Sequence, residues 1–293
     1  MSSASEVRDL LTRFNLRARK SLGQNFLVDE AALDRIVAAA ELTPDDTVLE
    51  IGPGLSTLTR RLAKAAGHIV AVEIDQNLIP PLRSALAAYP NVELIHGDIL
   101  QLDPAVLIQP GRDAPAARPQ DYPTARLPDY KVVANLPYYI TSAVIRHLLE
   151  ATLRPSVLIL TMQLEVAQRL VAEPGDLSLL AVSVQFYGKP SIVARISAGS
   201  FYPVPKVDSA VVRIDVHPQP PVNVRDADRF FAVVKAGFGQ KRKQIHNSLR
   251  SGLNLSADTI RSALAQANID PKRRAETLTL AEWAALNETL MQK

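Results

Sequence analysis

A short run of residues, Asn135, Leu136, Pro137 and Tyr138, follows the apolar segment 130–134. A loop that follows a buried strand often carries chemistry, because the sheet holds the loop's side chains in fixed directions. The Asn135 side-chain oxygen and the Leu136 carbonyl are two acceptors that could hold the two hydrogens of an exocyclic amino group. Pro137 would fix the turn without a competing N–H, and Tyr138 could stack on a flat base. An ordinary proline turn beside core tyrosines is the alternative.

The asparagine at position 135 indicates which type of reaction this turn could support. An exocyclic amine such as adenine N6 is a poor nucleophile, because its lone pair is delocalised into the ring. Two acceptors aimed at its hydrogens would counter this delocalisation. The proton leaves only as or after a methyl group arrives, so no strong base is needed. An amide therefore fits methyl transfer, where a hydrolase would use a carboxylate.

A glycine loop follows an earlier strand, in the sequence VLEIGPGLSTLT at 48–59. Gly52 and Gly54 allow a sharp turn and a close approach to a ligand, and the next helix offers free N–H groups. Thr57 stands where a dinucleotide fingerprint has its third glycine, so an NAD enzyme is disfavoured.

Two acidic residues follow the next two strands. Glu73 comes about 20 residues after the glycine loop, where a carboxylate meets a ribose diol in nucleoside-binding sheets. Asp98 could accept a hydrogen bond from the amino group of adenine. With the glycines they predict an adenosine site, and S-adenosylmethionine is the adenosine cofactor that needs no pyrophosphate-binding turn. The alternative is a strand-to-helix turn whose acids only cap the next helices.

The elements that would position these residues alternate regularly. Apolar, β-branched segments predict strands at 47–51, 68–74, 91–96, 130–134 and 156–162. Amphipathic segments between them, such as 56–66, predict an α/β fold with a doubly wound parallel sheet. Segments 191–197 and 209–216 predict an antiparallel pair at the sheet edge.

The rest of the chain predicts a second, smaller domain. A proline-rich stretch at 217–224 is a plausible linker, and the pattern is helical from Arg225 onward, with helix starts at Ser256 and Thr279. We therefore expect domains at 1–217 and 218–293. Segment 108–128, which is rich in proline, is expected to be a surface excursion without an assigned function.

Composition excludes several classes of protein. The chain of 293 residues is 47% hydrophobic and 22% charged, and none of its apolar runs reaches the ~20 residues that a membrane helix needs. Without cysteine it has no disulfide or thiolate metal site, and its five histidines lack ligand spacing, so we expect no metal. The N-terminus has no apolar stretch typical of a secretion signal. We expect a cytoplasmic monomer.

Positive charge is concentrated in two places, although the net charge is only +3. Stretch 235–250 contains no acidic residue, and a second cluster lies near the N-terminus. Clustered cations favour a polyanionic partner through counterion release, while the alternative is two solvated helix faces. The cations expected to contact RNA are Arg17, Arg19, Lys20, Lys241, Arg242, Lys243 and Arg250.

Seven motifs in order carry a family resemblance. They are KSLGQNFLVD (20–29), EIGPGLSTLT (50–59), VEID (72–75), GDIL (97–100), NLPYYI (135–140), SFYPVPKVDSAVVRI (200–214) and GFGQKRKQIHNSL (237–249). Over nearly its whole length the chain closely resembles the KsgA-type ribosomal RNA adenine dimethyltransferases. The resemblance implies a Rossmann-like class I methyltransferase fold with a seven-stranded sheet and a small all-helical C-terminal domain.

The resemblance also implies an activity and a set of site residues. The activity is S-adenosylmethionine-dependent dimethylation of N6 on two adjacent adenosines near the 3′ end of small-subunit ribosomal RNA, with the immature small subunit as partner and a role in its biogenesis. Phe201 would sandwich the target adenine opposite Tyr138, although by itself it reads as a core residue. The implied cofactor contacts are Asn25, Leu27, Gly52, Glu73, Asp98 and Asn135.

Departures from the family and two alternatives stay open. Ser56 stands where the family commonly has glycine, and stretch 172–180 is shortened. One alternative is a related methyltransferase that acts on large-subunit RNA and confers antibiotic resistance; stretches 17–27 and 274–286 favour the small-subunit type. The other is a nucleic-acid-binding module without catalysis, as in mitochondrial transcription factors on this scaffold. The intact turn at 135–138 argues against it.

Overall fold

A computed structural model describes residues 4–14, 16–19, 22–109 and 129–291. The chain forms two compact units. The sheet unit comprises 1–167 and 191–216, and the helical unit comprises 168–190 and 217–293. No helix within the described ranges is both long and apolar enough to span a bilayer.

The sheet unit is built on one large sheet. Seven strands lie side by side in the order β4-β3-β2-β5-β6-β9-β7, and a separate two-stranded sheet pairs β1 with β8. Strand β7 begins in the helical unit. The strands are β1 (Phe26–Leu27), β2 (Thr47–Ile51), β3 (His68–Glu73), β4 (Val92–His96), β5 (Tyr130–Asn135), β6 (Val157–Gln163), β7 (Gly188–Ile196), β8 (Phe201–Tyr202) and β9 (Ser209–Val216).

Strand direction places the predicted site residues at one edge of the sheet. Strands β4, β3, β2, β5 and β6 are parallel, and β9 is antiparallel to β6. The order of the parallel strands reverses between β2 and β5, where Ile51 lies opposite Ala134. Open α/β sheets bind ligands in the crevice beyond the carboxyl ends of the strands at such a reversal.

The core of the sheet unit forms where helices pack on the sheet. Leu33, Ile36, Leu62, Ile69 and Val133 belong to one fully buried apolar cluster. The helices are α1 (Ala4–Arg13), α2 (Glu30–Ala40), α3 (Thr59–Ala65), α4 (Ile79–Leu86), α5 (Pro104–Leu107), α6 (Thr141–Leu149) and α7 (Leu164–Leu170), the last of which ends in the helical unit.

The helical unit contains α8 (Leu179–Tyr187), α9 (Ala227–Phe238), α10 (Ile245–Leu253), α11 (Ala257–Gln266) and α12 (Leu280–Met291). Its own core includes Trp283, and the rings of Phe186 and Phe230 stack there with centroids 4.9 Å apart. Ser256 caps α11 by accepting a hydrogen bond from the Thr259 N–H at 3.1 Å, as predicted.

The predicted strands are confirmed, with ends that move by at most three residues, and β9 and β7 lie side by side at the sheet edge as predicted. Residues 168–190, which the sequence analysis placed in the first domain, lie in the helical unit, because Leu177, Ala181 and Phe186 pack into the core around Phe230. Of the proline-rich excursion, 110–128 lies outside the described residues.

Candidate active site

A cavity of about 290 Å³ opens at the carboxyl ends of the parallel strands. This is near the lower end of the ~300–1,000 Å³ that ligand pockets span. All but one of the predicted cofactor and catalytic residues line it. The lining members are Asn25, Gly52, Gly54, Glu73, Asp98, Asn135, Leu136, Pro137, Tyr138 and Phe201.

The glycine loop leaves open space at the cavity wall. Gly52 has φ +72°, and a Cβ added there would meet nothing within 4 Å. Its N–H donates to the Val72 carbonyl at 2.9 Å, which holds the loop against β3. Backbone that approaches a ligand closely requires this conformation and this free space. The loop therefore fits the cradle that the sequence predicts.

Glu73 is buried beside the glycine loop, with 4% of its surface exposed. One oxygen, Oε2, accepts from the Gly54 N–H at 3.2 Å, and Oε1 accepts from the Asp75 N–H at 2.8 Å. Burial raises the pKa of the Glu73 carboxyl, and these two N–H donors oppose the rise. Each carboxylate oxygen has a second lone pair. Glu73 can therefore also accept from the two hydroxyls of a ribose.

Asp98 caps the 3₁₀ turn Ile99–Gln101, since its Oδ1 accepts from the Leu100 N–H at 3.0 Å. The capping alternative from the sequence is therefore present in the structure. Among the described residues, its Oδ2 has only a long contact of 3.5 Å with Gln101 Nε2. This oxygen is available to a ligand in the cavity.

The asparagine turn presents acceptors to the cavity. Asn135 Nδ2 donates to the Asn25 carbonyl at 3.2 Å, while Asn135 Oδ1 and the Leu136 carbonyl accept no hydrogen bond from any described residue. The Pro137 carbonyl accepts from the Ile140 N–H at 3.2 Å, which closes the turn. The two free oxygens are the acceptors that the sequence assigns to an amino group.

Two aromatic side chains complete this side of the cavity. The Tyr138 hydroxyl forms a 2.8 Å hydrogen bond with Ser209 Oγ at the start of β9, and burial raises the pKa of Tyr138. Phe201 lines the cavity with only 2% of its surface exposed and also packs into the core. The description of Phe201 as a core residue is confirmed, while its contact with a target adenine stays a prediction.

Leu27 is the predicted cofactor residue that does not line the cavity. It is 3% exposed, lies in the apolar core and pairs with Phe201 between β1 and β8. Its side chain therefore supports the strand pair that carries Phe201.

Asp75 has a structural role that the sequence analysis missed. The buried carboxylate accepts from Gln24 Nε2 at 2.9 Å and forms a 3.2 Å ion pair with Arg19. It thereby fixes the N-terminal segment beside the end of β3. Arg19, predicted to contact RNA, is half exposed and has this acidic partner. The VEID motif could have indicated a role for Asp75, because it places a second acid two residues after Glu73.

Glu50 is a second buried acid that the sequence analysis left without a role. It is 1% exposed, and neither carboxylate oxygen has a partner at hydrogen-bond geometry among the described residues. Burial raises the pKa of Glu50 to about 8; the neighbouring Thr59 hydroxyl opposes the rise and Glu73 adds to it. Burial is the largest of these three effects. Glu50 is therefore largely neutral at pH 7.

The remaining predicted RNA contacts differ in their surroundings. Arg17 is exposed, and Lys20 lies outside the described residues. In the helical unit Lys241, Arg242 and Lys243 form an exposed turn between α9 and α10, and Arg250 is exposed on α10. None of these four has an acidic partner within the described part of the chain.

Comparisons with known proteins identify the family of this chain. The sequence profile of the family described as ribosomal RNA adenine dimethylase matches residues 15–290. The ribosomal RNA small subunit methyltransferase A of Dehalococcoides mccartyi (strain CBDB1) is 47% identical, over 97% of this chain and 92% of that protein. The protein of the same name from Moorella thermoacetica is 46% identical, over 96% of this chain and 95% of that protein.

Two solved structures have a fold similar to that of this chain. The 23S rRNA methyltransferase ErmE has a TM-score of 0.68 and 30% identity, over 92% of this chain and 100% of that chain. A dimethyladenosine transferase from Plasmodium falciparum has the same TM-score at 23% identity, over 89% of this chain and 95% of that chain, and so supports the fold alone. The full-length profile match and the close relatives show that this chain belongs to the ribosomal RNA adenine dimethylase family.

Proposed function

We propose that this protein methylates N6 of two adjacent adenosines near the 3′ end of small-subunit ribosomal RNA, with S-adenosylmethionine as its cofactor, and that dimethyladenosines are the products. The observation that carries the proposal is the asparagine turn. Its two free acceptors, Asn135 Oδ1 and the Leu136 carbonyl, belong to residues that line the cavity, and other residues of the same lining have the features of an adenosine site.

The cofactor wall fits S-adenosylmethionine residue by residue. Glu73 would hold the ribose hydroxyls, Asp98 Oδ2 would accept from the adenine amino group, and Gly52 leaves the space that a ligand beside the loop needs. Asn25 lines the same cavity from the N-terminal segment. When bound, S-adenosylmethionine supplies a methyl group on a cationic sulfur.

The asparagine turn would bind and orient the target amine. Asn135 Oδ1 and the Leu136 carbonyl each accept one N6 hydrogen, which favours localisation of the nitrogen lone pair. Tyr138, fixed by Ser209, stacks on one face of the base, and Phe201 covers the other. One N6 proton is lost for each methyl group gained. Because a methylated anilinium-like nitrogen is strongly acidic, an amide oxygen suffices to guide the proton toward water.

RNA recognition would use the exposed cations. The target adenine must leave its stack to reach the cavity, so the flanking strand needs phosphate contacts that hold it. Lys241, Arg242, Lys243 and Arg250 have no acidic partners among the described residues and are suited to this role, together with Arg17, Arg19 and Lys20. We assign catalysis to the sheet unit (1–167 and 191–216) and recognition of the immature small subunit to the helical unit (168–190 and 217–293), in a protein that acts as a cytoplasmic monomer.

The small subunit is the favoured substrate over the large subunit. The relative named for the small subunit is 47% identical to this chain, while the large-subunit enzyme ErmE is 30% identical. A module that binds RNA without methylating it would not need the free acceptors of Asn135 and Leu136. Their presence favours catalysis.

The test is transfer of labelled methyl groups to small subunits from a strain that lacks the modification. We expect the label on two adjacent adenosines, and label confined to large-subunit RNA would contradict the proposal. Asn135→Ala should lower the single-turnover rate by about 100-fold, the scale for losing one positioned polar group, with cofactor affinity within about threefold. Asn135→Asp is the sharper control, because it keeps an acceptor but removes the donor to Asn25.

A further inference from the structure

Tyr139 is an exposed aromatic residue at the rim of the cavity. The reaction proposed for residues 135–138 gives it no role. It lines the cavity, yet 63% of its surface is exposed. Its hydroxyl has no hydrogen-bond partner in the described ranges, whereas the hydroxyl of the adjacent Tyr138 is bound to Ser209. A ring that is neither buried nor hydrogen-bonded has a free face to offer.

The position of this ring is fixed by the backbone on both sides. Residues 138–140 form the turn that Pro137 and Ile140 close. A Cβ added to Gly23 would lie 3.2 Å from both Cδ1 and Cε1 of Tyr139, so the ring rests directly against the glycine backbone. Gly23 has φ +60°, which favours glycine for a second reason. The N-terminal segment therefore supports the ring from one side and leaves the remainder in solvent.

A second exposed apolar element borders the same cavity. Loop 203–208 follows β8, whose Phe201 lines the cavity, and ends before Ser209, which is hydrogen-bonded to Tyr138. The loop exposes Val204 to 65% and Val207 to 45%. Apolar side chains at this exposure, next to a site for an extruded base, are suited to contact unstacked bases rather than a folded core.

We propose that Tyr139 is the stacking platform for the nucleotide next to the target adenosine. The inference rests on the proposed function and deepens it. While one adenine lies in the cavity, its neighbour loses a stacking partner in the RNA, and the face of Tyr139 replaces that partner at the rim. The two adjacent adenosines would exchange these positions between methylations. Tyr139 is thus a substrate-positioning residue that acts on RNA and not on the cofactor.

Variants at position 139 distinguish stacking of a base on the aromatic ring from nonspecific contact with an apolar side chain. Base–aromatic stacking of ~1–3 kcal/mol corresponds to a loss of about 10- to 100-fold in kcat/KM for Tyr139→Ala, mainly through KM. Tyr139→Phe should retain activity within about twofold, because the hydroxyl has no partner. Tyr139→Leu keeps apolar bulk without a π-face and should resemble the alanine variant. Cofactor affinity measured by calorimetry should stay within about twofold in all three.

A direct readout does not depend on turnover. An RNA hairpin with 2-aminopurine beside the target adenosine should lose fluorescence on binding to the wild-type and Tyr139→Phe proteins, but not to Tyr139→Leu. Leucine that matches tyrosine in both assays would overturn the inference, as would a fall in cofactor affinity as large as the loss of methylation. A wild-type protein that neither binds the hairpin nor methylates small subunits would instead refute the proposed function itself.

Discussion

Replacement of Ser56 by glycine should stabilise this protein. Ser56 lies in the glycine loop with φ +63°, in the left-handed region, and its side chain is fully buried. Its hydroxyl has no hydrogen-bond partner among the described residues. The position where the sequence departs from its family therefore combines backbone strain with an unpaired buried group.

The expected gain follows from three contributions. A residue with a Cβ costs roughly 1–2 kcal/mol in the left-handed region, and an unpaired buried hydroxyl costs about 1–3 kcal/mol. Glycine loses about 0.5–1 kcal/mol of this gain, because it gives the unfolded chain greater conformational entropy. Ser56→Gly should therefore raise the free energy of unfolding by about 1–4 kcal/mol. Ser56→Ala removes only the hydroxyl and should gain less.

The assay has to report on the sheet unit. The single tryptophan, Trp283, lies in the helical unit, so its fluorescence does not report directly on this loop. Urea unfolding should therefore be followed by circular dichroism, together with hydrogen exchange of the β2 amides, which reports on the sheet unit. A gain for Ser56→Gly that is about 0.5–1 kcal/mol smaller than the gain for Ser56→Ala would show that the backbone is unstrained. A loss of stability in both variants would show that the hydroxyl makes a favourable contact and refute the reasoning.

Three other expectations follow from the same geometry. Glu73→Ala should weaken S-adenosylmethionine binding by about 10- to 100-fold, the scale of a charged hydrogen bond of ~1.5–3 kcal/mol; calorimetry with unchanged affinity would contradict the ribose assignment. The pKa of Glu50 is raised from its ordinary value of 4.5 to about 8 in the folded state. The contribution of this group to stability is therefore complete below pH 4.5 and is lost as the pH rises toward 8. Glu50→Gln should remove a slope of up to ~1.4 kcal/mol per pH unit in that window; parallel urea midpoints for both proteins would argue against burial as the cause. Neutralisation of Lys241, Arg242 and Lys243 together should weaken RNA binding and lower the slope of log K against log salt by about 2, and an unchanged slope would mean that these residues are only a solvated surface. The control neutralises three cations of the same unit that already have acidic partners: Arg225, Arg261 and Arg274.

Much of the site could be predicted because parallel strands bring the ends of distant segments to one edge. Gly52, Glu73, Asp98 and Asn135 each follow or end a strand with a clear β-branched pattern, so their positions follow once the sheet is recognised. The pair β1 and β8 could not be predicted, since strands of two residues are too short for any periodicity.

Other features depend on contacts that the sequence does not display. The buried ion pair of Asp75 joins it to Arg19, which lies 56 residues earlier. Residues 168–190 lie with the helical unit because apolar positions such as Phe186 find partners more than 40 residues later in the chain, at Phe230. The left-handed conformation of Ser56 is a property of the turn around it, and the residue type alone gives no sign of it.

The amide of Asn135 explains why a carboxylate would not serve in this turn. Its Nδ2 donates to the Asn25 carbonyl at 3.2 Å, so the other branch of the same group, Oδ1, is directed away from that contact and left free as an acceptor. Aspartate would set two acceptors against each other at the Asn25 carbonyl and leave both unpaired, at a cost of about 1–3 kcal/mol. The N-terminal segment that carries Asn25 is itself anchored on Asp75, two residues after Glu73. One planar side chain thus joins the N-terminal segment to the turn after β5 and keeps a free acceptor for the proposed target amine. Only an amide offers both a donor and an acceptor here, so this requirement selects asparagine whatever the acidity of the amine.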